Sequence, residues 1–387
     1  MSSSLRRFLT LFLLSLALPS VANAQNISVA AESYILLDAT TGTVLAEENA
    51  DLRLPPASLT KIMSSYLFFQ AVQDGVLSLE QPITISENAW GAQVVGSKMF
   101  IEVGKQVSVA DLLRGVVVQS GNDASIALAE AVSGAEEIFA EEMNRRAAQL
   151  GLTNSHFKNA TGLPEEEHYS SARDIAFLSQ ALILNFPDLY PLYAEREFTY
   201  NEIRQENRNG LLSEFTGADG IKTGYTKAAG YCLAASASQQ GRRLIAVVMK
   251  TKSTRVRESE TKKLLTYGFN HFNNITLFSR NDQRTLPVWS GAATEVRVQP
   301  ASDGVYTLPR SEKVSVQYFP HPQVSAPVAA GDVLGELQVI VNDKTIDRVN
   351  VVAAEAVAAG SRWTQLEDFI KINWLGHGNN ETVLSQW

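Results

Sequence analysis

Near residue 273 the hydrophobic pattern of this 387-residue chain changes period, and that change limits what it can fold into more than any other feature. Before it, short alternating runs at 34–38, 43–46, 220–223, 231–237 and 244–250 read as strands. Between them lie longer stretches, 59–67, 109–131, 135–150, 172–184 and 254–272, whose apolar residues recur every three to four positions as in helices. The last three strands are separated by glycine-containing turns and so are adjacent and antiparallel. The expected architecture over 25–273 is therefore α/β, with helices packed on an antiparallel sheet. After 273 the runs at 295–298, 305–308 and 314–318, and a hairpin over 337–352 around Asn342-Asp343-Lys344, follow one another without helices. They predict a separate small β-rich domain over 274–360. The remaining 361–387 carries Trp363, Leu366, Phe369, Ile370, Ile372, Trp374 and Leu375 on an amphipathic helix.

At the other end, Arg6 and Arg7 precede an apolar run over 8–18 that meets Ala22-Asn23-Ala24. This is the pattern of a secretory signal over 1–24, cleaved after Ala24. The run is about half the roughly 20 apolar residues that a membrane-spanning helix needs. Export normally favours disulfides, yet Cys232 is the only cysteine, so no intramolecular bridge can form and stability must come from the core. Cys232 itself lies in an apolar run and reads as a small buried hydrophobe. Five scattered histidines and no Cys/His cluster argue against a metal site, and no cofactor is expected. A net charge of −8 without any long Lys/Arg tract argues against a nucleic-acid partner. The terminal helix is expected to lie in a membrane interface, although Glu367 and Asp368 beside Arg362 and Lys371 give it no net attraction to anionic lipid; docking on its own protein is the alternative.

Three motifs carry chemistry: Ser58-Leu59-Thr60-Lys61, Ser120-Gly121-Asn122 and Lys222-Thr223-Gly224. Each alone is weak, since Ser155-His-Phe-Lys158, Ser259-Glu-Thr-Lys262 and Ser86-Glu-Asn88 fit the same patterns. Setting separates them: the first falls at a helix start after an extended Leu54-Pro-Pro segment, the second at a break between helices, the third in a strand. A serine and a lysine three apart on a helix share one face. The hydroxyl needs a base to attack, and a lysine amine serves only if burial and nearby positive charge lower its proton affinity. Lys222 can supply that charge. Backbone N–H groups of Ser58, at the helix start, and of Tyr225 can form an oxyanion hole.

The ordered trio resembles that of penicillin-binding proteins and serine β-lactamases. Asn207-Arg-Asn-Gly-Leu-Leu212, Asp219-Gly-Ile-Lys-Thr-Gly-Tyr-Thr226, Ala229-Gly-Tyr231 and Arg257-Glu-Ser-Glu-Thr-Lys-Lys-Leu-Leu265 are similar more narrowly to the low-molecular-mass D-alanyl-D-alanine carboxypeptidases (peptidase S11). This resemblance spans nearly the whole chain after the signal. It implies a β-lactamase/transpeptidase-like domain followed by a small all-β domain and a C-terminal amphipathic helix. It also implies Ser58 as acylated nucleophile, Lys61 as base, Ser120 and Asn122 as proton relay and substrate-amide pair, and Lys222, Thr223, Gly224 and Tyr225 as ligand-holding residues. Arg257 would bind the terminal carboxylate, assisted by Arg208. The implied partners are the peptidoglycan stem peptide, β-lactam antibiotics and a membrane surface, and the implied location is the periplasm, on the outer face of the inner membrane. Some relatives have histidine where this chain has Tyr225, which alters the pocket rim only.

A serine β-lactamase shares this apparatus, but its class A pattern around the deacylating glutamate is absent from Gly162-Leu-Pro-Glu-Glu-Glu-His168, and this chain with its β appendage is long for one. A D,D-endopeptidase would keep the fold and cut cross-links. A silent wall-binding scaffold would not need Ser58, Lys61 and Lys222 together.

Overall fold

The computed structural model describes residues 27–91, 96–374 and 387. The signal segment and Leu375 lie outside the described residues. The chain forms two compact units, one built from the described residues up to Phe278 together with Gly304–Glu312, the other from Ser279–Asp303 and the described residues from Lys313 onward.

The first unit is organised on a five-stranded antiparallel sheet in the order Val44–Glu48, Ser33–Asp38, Arg242–Thr251, Gly230–Gln239, Ala218–Thr226. Both faces are covered, so the central strands are apolar on both sides. Ile35, Leu37, Ala234, Ile245, Val247 and Met249 point to one face, where they join a large core built with the helical half. The alternate residues Leu36, Leu233, Ala235, Leu244, Ala246 and Val248 point to the other, and meet Leu264 and Leu265 of the Thr254–His271 helix. Period-two alternation thus serves two cores at once. The Lys61–Gln73 helix runs through the larger one; ten of its thirteen residues are buried, so it is enclosed on all sides instead of lying on the surface. The strand Gly304–Pro309, which falls in the stretch read from sequence as β-rich, pairs with Phe272–Phe278 and belongs to this first unit.

The second unit is a five-stranded antiparallel sheet in the order Arg284–Pro287, Glu295–Pro300, Lys344–Ala353, Val333–Val341, Val314–Pro320. Its buried side chains, among them Val296, Val298, Leu337, Val339 and Val351, alternate with exposed or half-buried ones along each strand. The turn at Asn342 and Asp343 has both residues at positive φ, which Asn and Asp tolerate well. The Arg362–Trp374 helix carries Trp363 and Trp374 about four-fifths exposed, with Leu366, Phe369 and Ile370 also exposed. Its Asp368 carboxylate accepts the backbone N–H of Ser290 at 2.7 Å, so one polar contact ties the helix to its own unit while the apolar stripe stays open. Among the described residues no helix is long and apolar enough to cross a membrane.

Candidate active site

The apolar spacing predicts a helix beginning at or beside Ser58; the structure starts it with a tight 3-10 turn, Ala57–Thr60, ahead of the Lys61–Gln73 helix. The extended segment before it is held by mutual backbone hydrogen bonds between Leu54 and Ser170 (2.9 and 3.0 Å). Ala57 has φ +48, a left-handed conformation that a non-glycine residue adopts at a cost. The turn brings Lys61 Nζ to 3.4 Å from Ser58 Oγ. The same ammonium nitrogen donates to Asn122 Oδ1 at 2.6 Å and to the Thr161 carbonyl at 2.7 Å. Lys61 is fully buried, and burial lowers its pKa to about 7, with the Arg208 cation acting in the same direction and the Asp123 and Glu136 carboxylates opposing it. Desolvation wins because the carboxylates do not pair with the amine directly. The result is a buried amine that is neutral for much of the time near neutral pH.

Ser120 follows the irregular Gly115–Gln119 turn, itself at φ +64, and precedes the Asn122–Ser133 helix. Its hydroxyl is buried with no hydrogen-bond partner among the described residues. A buried donor left open in this way is poised for a ligand or a proton in transit.

The Ala218–Thr226 strand is the edge of the sheet, and its side chains alternate across that edge. Gly224 packs against the nucleophile turn: a Cβ there would stand 3.1 Å from the Pro56 carbonyl and 3.3 Å from the Leu59 nitrogen. Lys222 pairs with Ala234 on the same face as the larger core and is buried. Burial holds its pKa well below the ordinary lysine value, with Lys61, Arg208 and Arg257 adding to the effect. Thr223 and Tyr225 point the other way, toward the Thr254–His271 helix that supplies Arg257. The Arg257 guanidinium is buried, with Nε lacking a partner among the described residues and Glu258 at a loose 3.8 Å. That is a cation held ready rather than consumed in an internal pair.

These elements border a cleft of about 550 Å³ lined by Ser58, Gly96, Ser97, Ser120, Arg208, Thr223, Gly224, Tyr225, Tyr231, Thr254 and Arg257. Lys61, Asn122 and Lys222 are buried and do not line it. Every residue singled out from the three motifs and their flanks therefore falls on the cleft wall or is buried beside it. Glu165, Glu166 and Glu167 are exposed and line no part of it.

Several residues that shape the site carry no signal in the sequence. The buried Asp123 carboxylate accepts backbone N–H groups of Met99, Phe100 and Ile101 (3.0–3.4 Å), and so fixes the loop that presents Gly96 and Ser97. The 159–162 segment delivers the Thr161 carbonyl to Lys61. Its shape is set by Asn159 Oδ1, which accepts from the Thr161 and Gly162 backbone N–H groups and from the Thr161 hydroxyl. The Ala160 carbonyl accepts from Ser64 and Ser125, fastening the segment to two helices. Gly162, at φ +83, lies so close that a Cβ would stand 1.9 Å from the Ala57 carbonyl oxygen, so only glycine fits. His168 Nδ1 accepts the Lys158 N–H, which leaves Nε2–H to donate to the Thr60 hydroxyl at 2.9 Å. Burial lowers its pKa to about 4 and keeps it neutral.

A family model for D-alanyl-D-alanine carboxypeptidases matches residues 20–253. The chain belongs to that family. A second model, the C-terminal domain of penicillin-binding protein 5, matches residues 272–359. The D-alanyl-D-alanine carboxypeptidase DacC of Escherichia coli K12 is 43% identical over 361 residues, covering 90% of each chain. Among solved structures, penicillin-binding protein 5 from Haemophilus influenzae superposes with a TM-score of 0.80 at 39% identity, over 87% of this chain and 99% of that one. Penicillin-binding protein D2 from Listeria monocytogenes, solved in a cefotaxime-bound form, is 30% identical with a TM-score of 0.59, over 64% of this chain and all of that one. This carboxypeptidase thus has a mixed sheet-and-helix unit and an all-β unit that match known relatives, followed by the Arg362–Trp374 helix.

Proposed function

We propose that this enzyme removes the terminal D-alanine from peptidoglycan stem pentapeptides through an acyl-enzyme on Ser58, and that β-lactams acylate the same oxygen. The observation that carries this reading is the Lys61 amine, 3.4 Å from Ser58 Oγ and lowered by burial to about 7. As Ser58 Oγ attacks the carbonyl of the penultimate D-alanine, its proton passes to Lys61 Nζ. Backbone N–H groups of Ser58 and Tyr225 receive the oxyanion. The tetrahedral intermediate then expels D-alanine, whose amine takes a proton relayed through the open Ser120 hydroxyl. Asn122 serves both the substrate amide and the orientation of Lys61. Arg257, with Thr223 and Arg208, takes the terminal carboxylate; burial and the Arg208 cation, and not Lys222 as the sequence suggests, keep Lys61 short of protons. Water finally releases the acyl group and restores Ser58.

The test is the mass of the mature protein after penicillin treatment, with peptide mapping. An adduct on Ser58 and release of free D-alanine from a stem pentapeptide are expected; an adduct on any other side chain overturns the assignment. The same intact mass reads out signal cleavage after Ala24.

The exposed Trp363, Leu366, Phe369, Ile370 and Trp374 favour a periplasmic enzyme held on the outer face of the inner membrane by its last helix. The division of labour is then a catalytic domain over 25–273, a small β-rich domain over 274–360 and an anchoring tail over 361–387. Truncation after Gly360 should move the protein from the membrane to the soluble fraction with penicillin labelling retained.

A further inference from the structure

Tyr225 and Tyr231 face each other directly across paired strands, with ring centroids 4.4 Å apart and planes 34° apart. A cross-strand aromatic pair stabilises a sheet whether or not it is covered. Here Tyr225 is 56% exposed and both tyrosines line the cleft, so a ring face is free to meet a ligand as well. Strand alternation places Tyr225 with Thr223 on the side that faces Arg257 and Thr254, away from the side on which Gly224 meets the nucleophile turn. The amino acid whose carboxylate meets Arg257 therefore has the tyrosine pair beside its α-carbon, and that amino acid is the one expelled.

We propose that the tilted Tyr225–Tyr231 pair is the apolar wall that selects the side chain of the leaving amino acid, favouring a small hydrocarbon group over none. This rests on the carboxypeptidase reading above, with Arg257 as the carboxylate partner. Tyr231 supports one face of Tyr225 and limits its rotation; the other face of Tyr225 meets the substrate. The hydroxyl takes no part, so the ring alone sets the preference. The contribution is a contact made on the leaving side, separate from the backbone N–H of Tyr225 that serves the oxyanion.

The experiment compares kcat/KM for two N-acylated peptides, one ending in D-alanyl-D-alanine and one in D-alanyl-glycine, within single preparations of parent, Tyr225→Phe and Tyr225→Ala. Taking the ratio within one preparation cancels any difference in the fraction of folded sites. The parent should prefer the D-alanine end, and Tyr225→Phe should keep that preference. Tyr225→Ala should reduce it about fourfold, which is what losing contact with one methyl group is worth. Tyr225→His gives the same comparison if the alanine variant yields no active protein, with a reduction of about twofold or more expected on the same scale. An unchanged ratio in the variant that lacks the phenyl ring, or no preference in the parent, overturns the proposal and leaves the carboxypeptidase reading intact. A parent that takes penicillin on Ser58 yet hydrolyses neither peptide overturns the carboxypeptidase reading itself.

Discussion

In the first unit Lys61, Lys222, Arg257, Asp123 and His168 are all buried, whereas in the second the buried side chains are aliphatic or aromatic, with the Tyr318 hydroxyl the one polar atom of that core among the described residues. The two units have sheets of the same size and hand of pairing, so the contrast comes from what each interior is asked to do. Burying a polar or charged group is costly unless it is fully hydrogen-bonded. The first unit accepts that cost around one cleft and adds two residues at positive φ, Ala57 beside the nucleophile and Ser120 on the cleft wall. The second unit accepts it only at the Tyr318 hydroxyl and otherwise resembles an ordinary packed sheet.

The contrast breaks most sharply at Lys61. Replacing it with methionine keeps the length and removes the charge; hydrolysis and penicillin acylation should fall by about a thousandfold, the scale of losing a general base. The thermal midpoint should not fall at neutral pH, because the proton that the buried amine gives up on folding costs stability there and methionine has none to give up. A large fall in the midpoint would show that the buried polar network supports the fold instead.

Asp123→Asn tests the supporting layer. Oδ1 accepts from Met99 and Ala124 and Oδ2 from Met99, Phe100 and Ile101, so either orientation of an amide sets N–H against N–H. A drop of about ten- to a hundredfold in kcat/KM is expected from displacing the 96–101 loop, together with about 2–4 kcal/mol of stability in denaturant titration.

The pH dependence follows from the sign of the Lys61 shift. Its unprotonated form is the base and its pKa is about 7, so the acylation rate should rise about tenfold per unit below that pH and level off above it. Because the folded state releases this proton near 7 and the unfolded chain near 10.5, Lys61 makes stability rise with pH across that window. Lys61→Met should flatten both slopes, which rate–pH and melting–pH profiles will show.

The smallest effect on chemistry is expected in the second unit. Leu337→Ala empties a fully buried aliphatic position and should cost that unit about 2–5 kcal/mol, read by its own unfolding transition. Penicillin acylation should stay within about twofold. A larger loss would mean that the aliphatic interior contributes to the cleft after all.

What the sequence discloses follows the same line. Ser58 and Lys61 are legible because three-residue spacing on a helix dictates proximity, and Lys222-Thr223-Gly224 because strand alternation sends adjacent side chains to opposite sides. The strands at 34–38 and 244–250 are legible because their apolar runs match burial on both faces. Asp123, Asn159 and His168 are not, since each acts by receiving or donating hydrogen bonds across 10 to 108 positions of chain or by shaping a loop, and no local pattern encodes such partners. The strand at Gly304–Pro309 reads by pattern as part of the β-rich segment because alternation reports a strand and not the sheet it joins.

Cys232 opens a practical route into this molecule. Its thiol is fully enclosed, and burial pushes it up to about 11, so almost no thiolate exists at neutral pH and no reagent can reach it. A cysteine introduced at any surface position becomes the single site a maleimide dye will find. The native enzyme can thus carry one spectroscopic reporter, on the cleft rim or on the terminal helix, without first removing a thiol of its own.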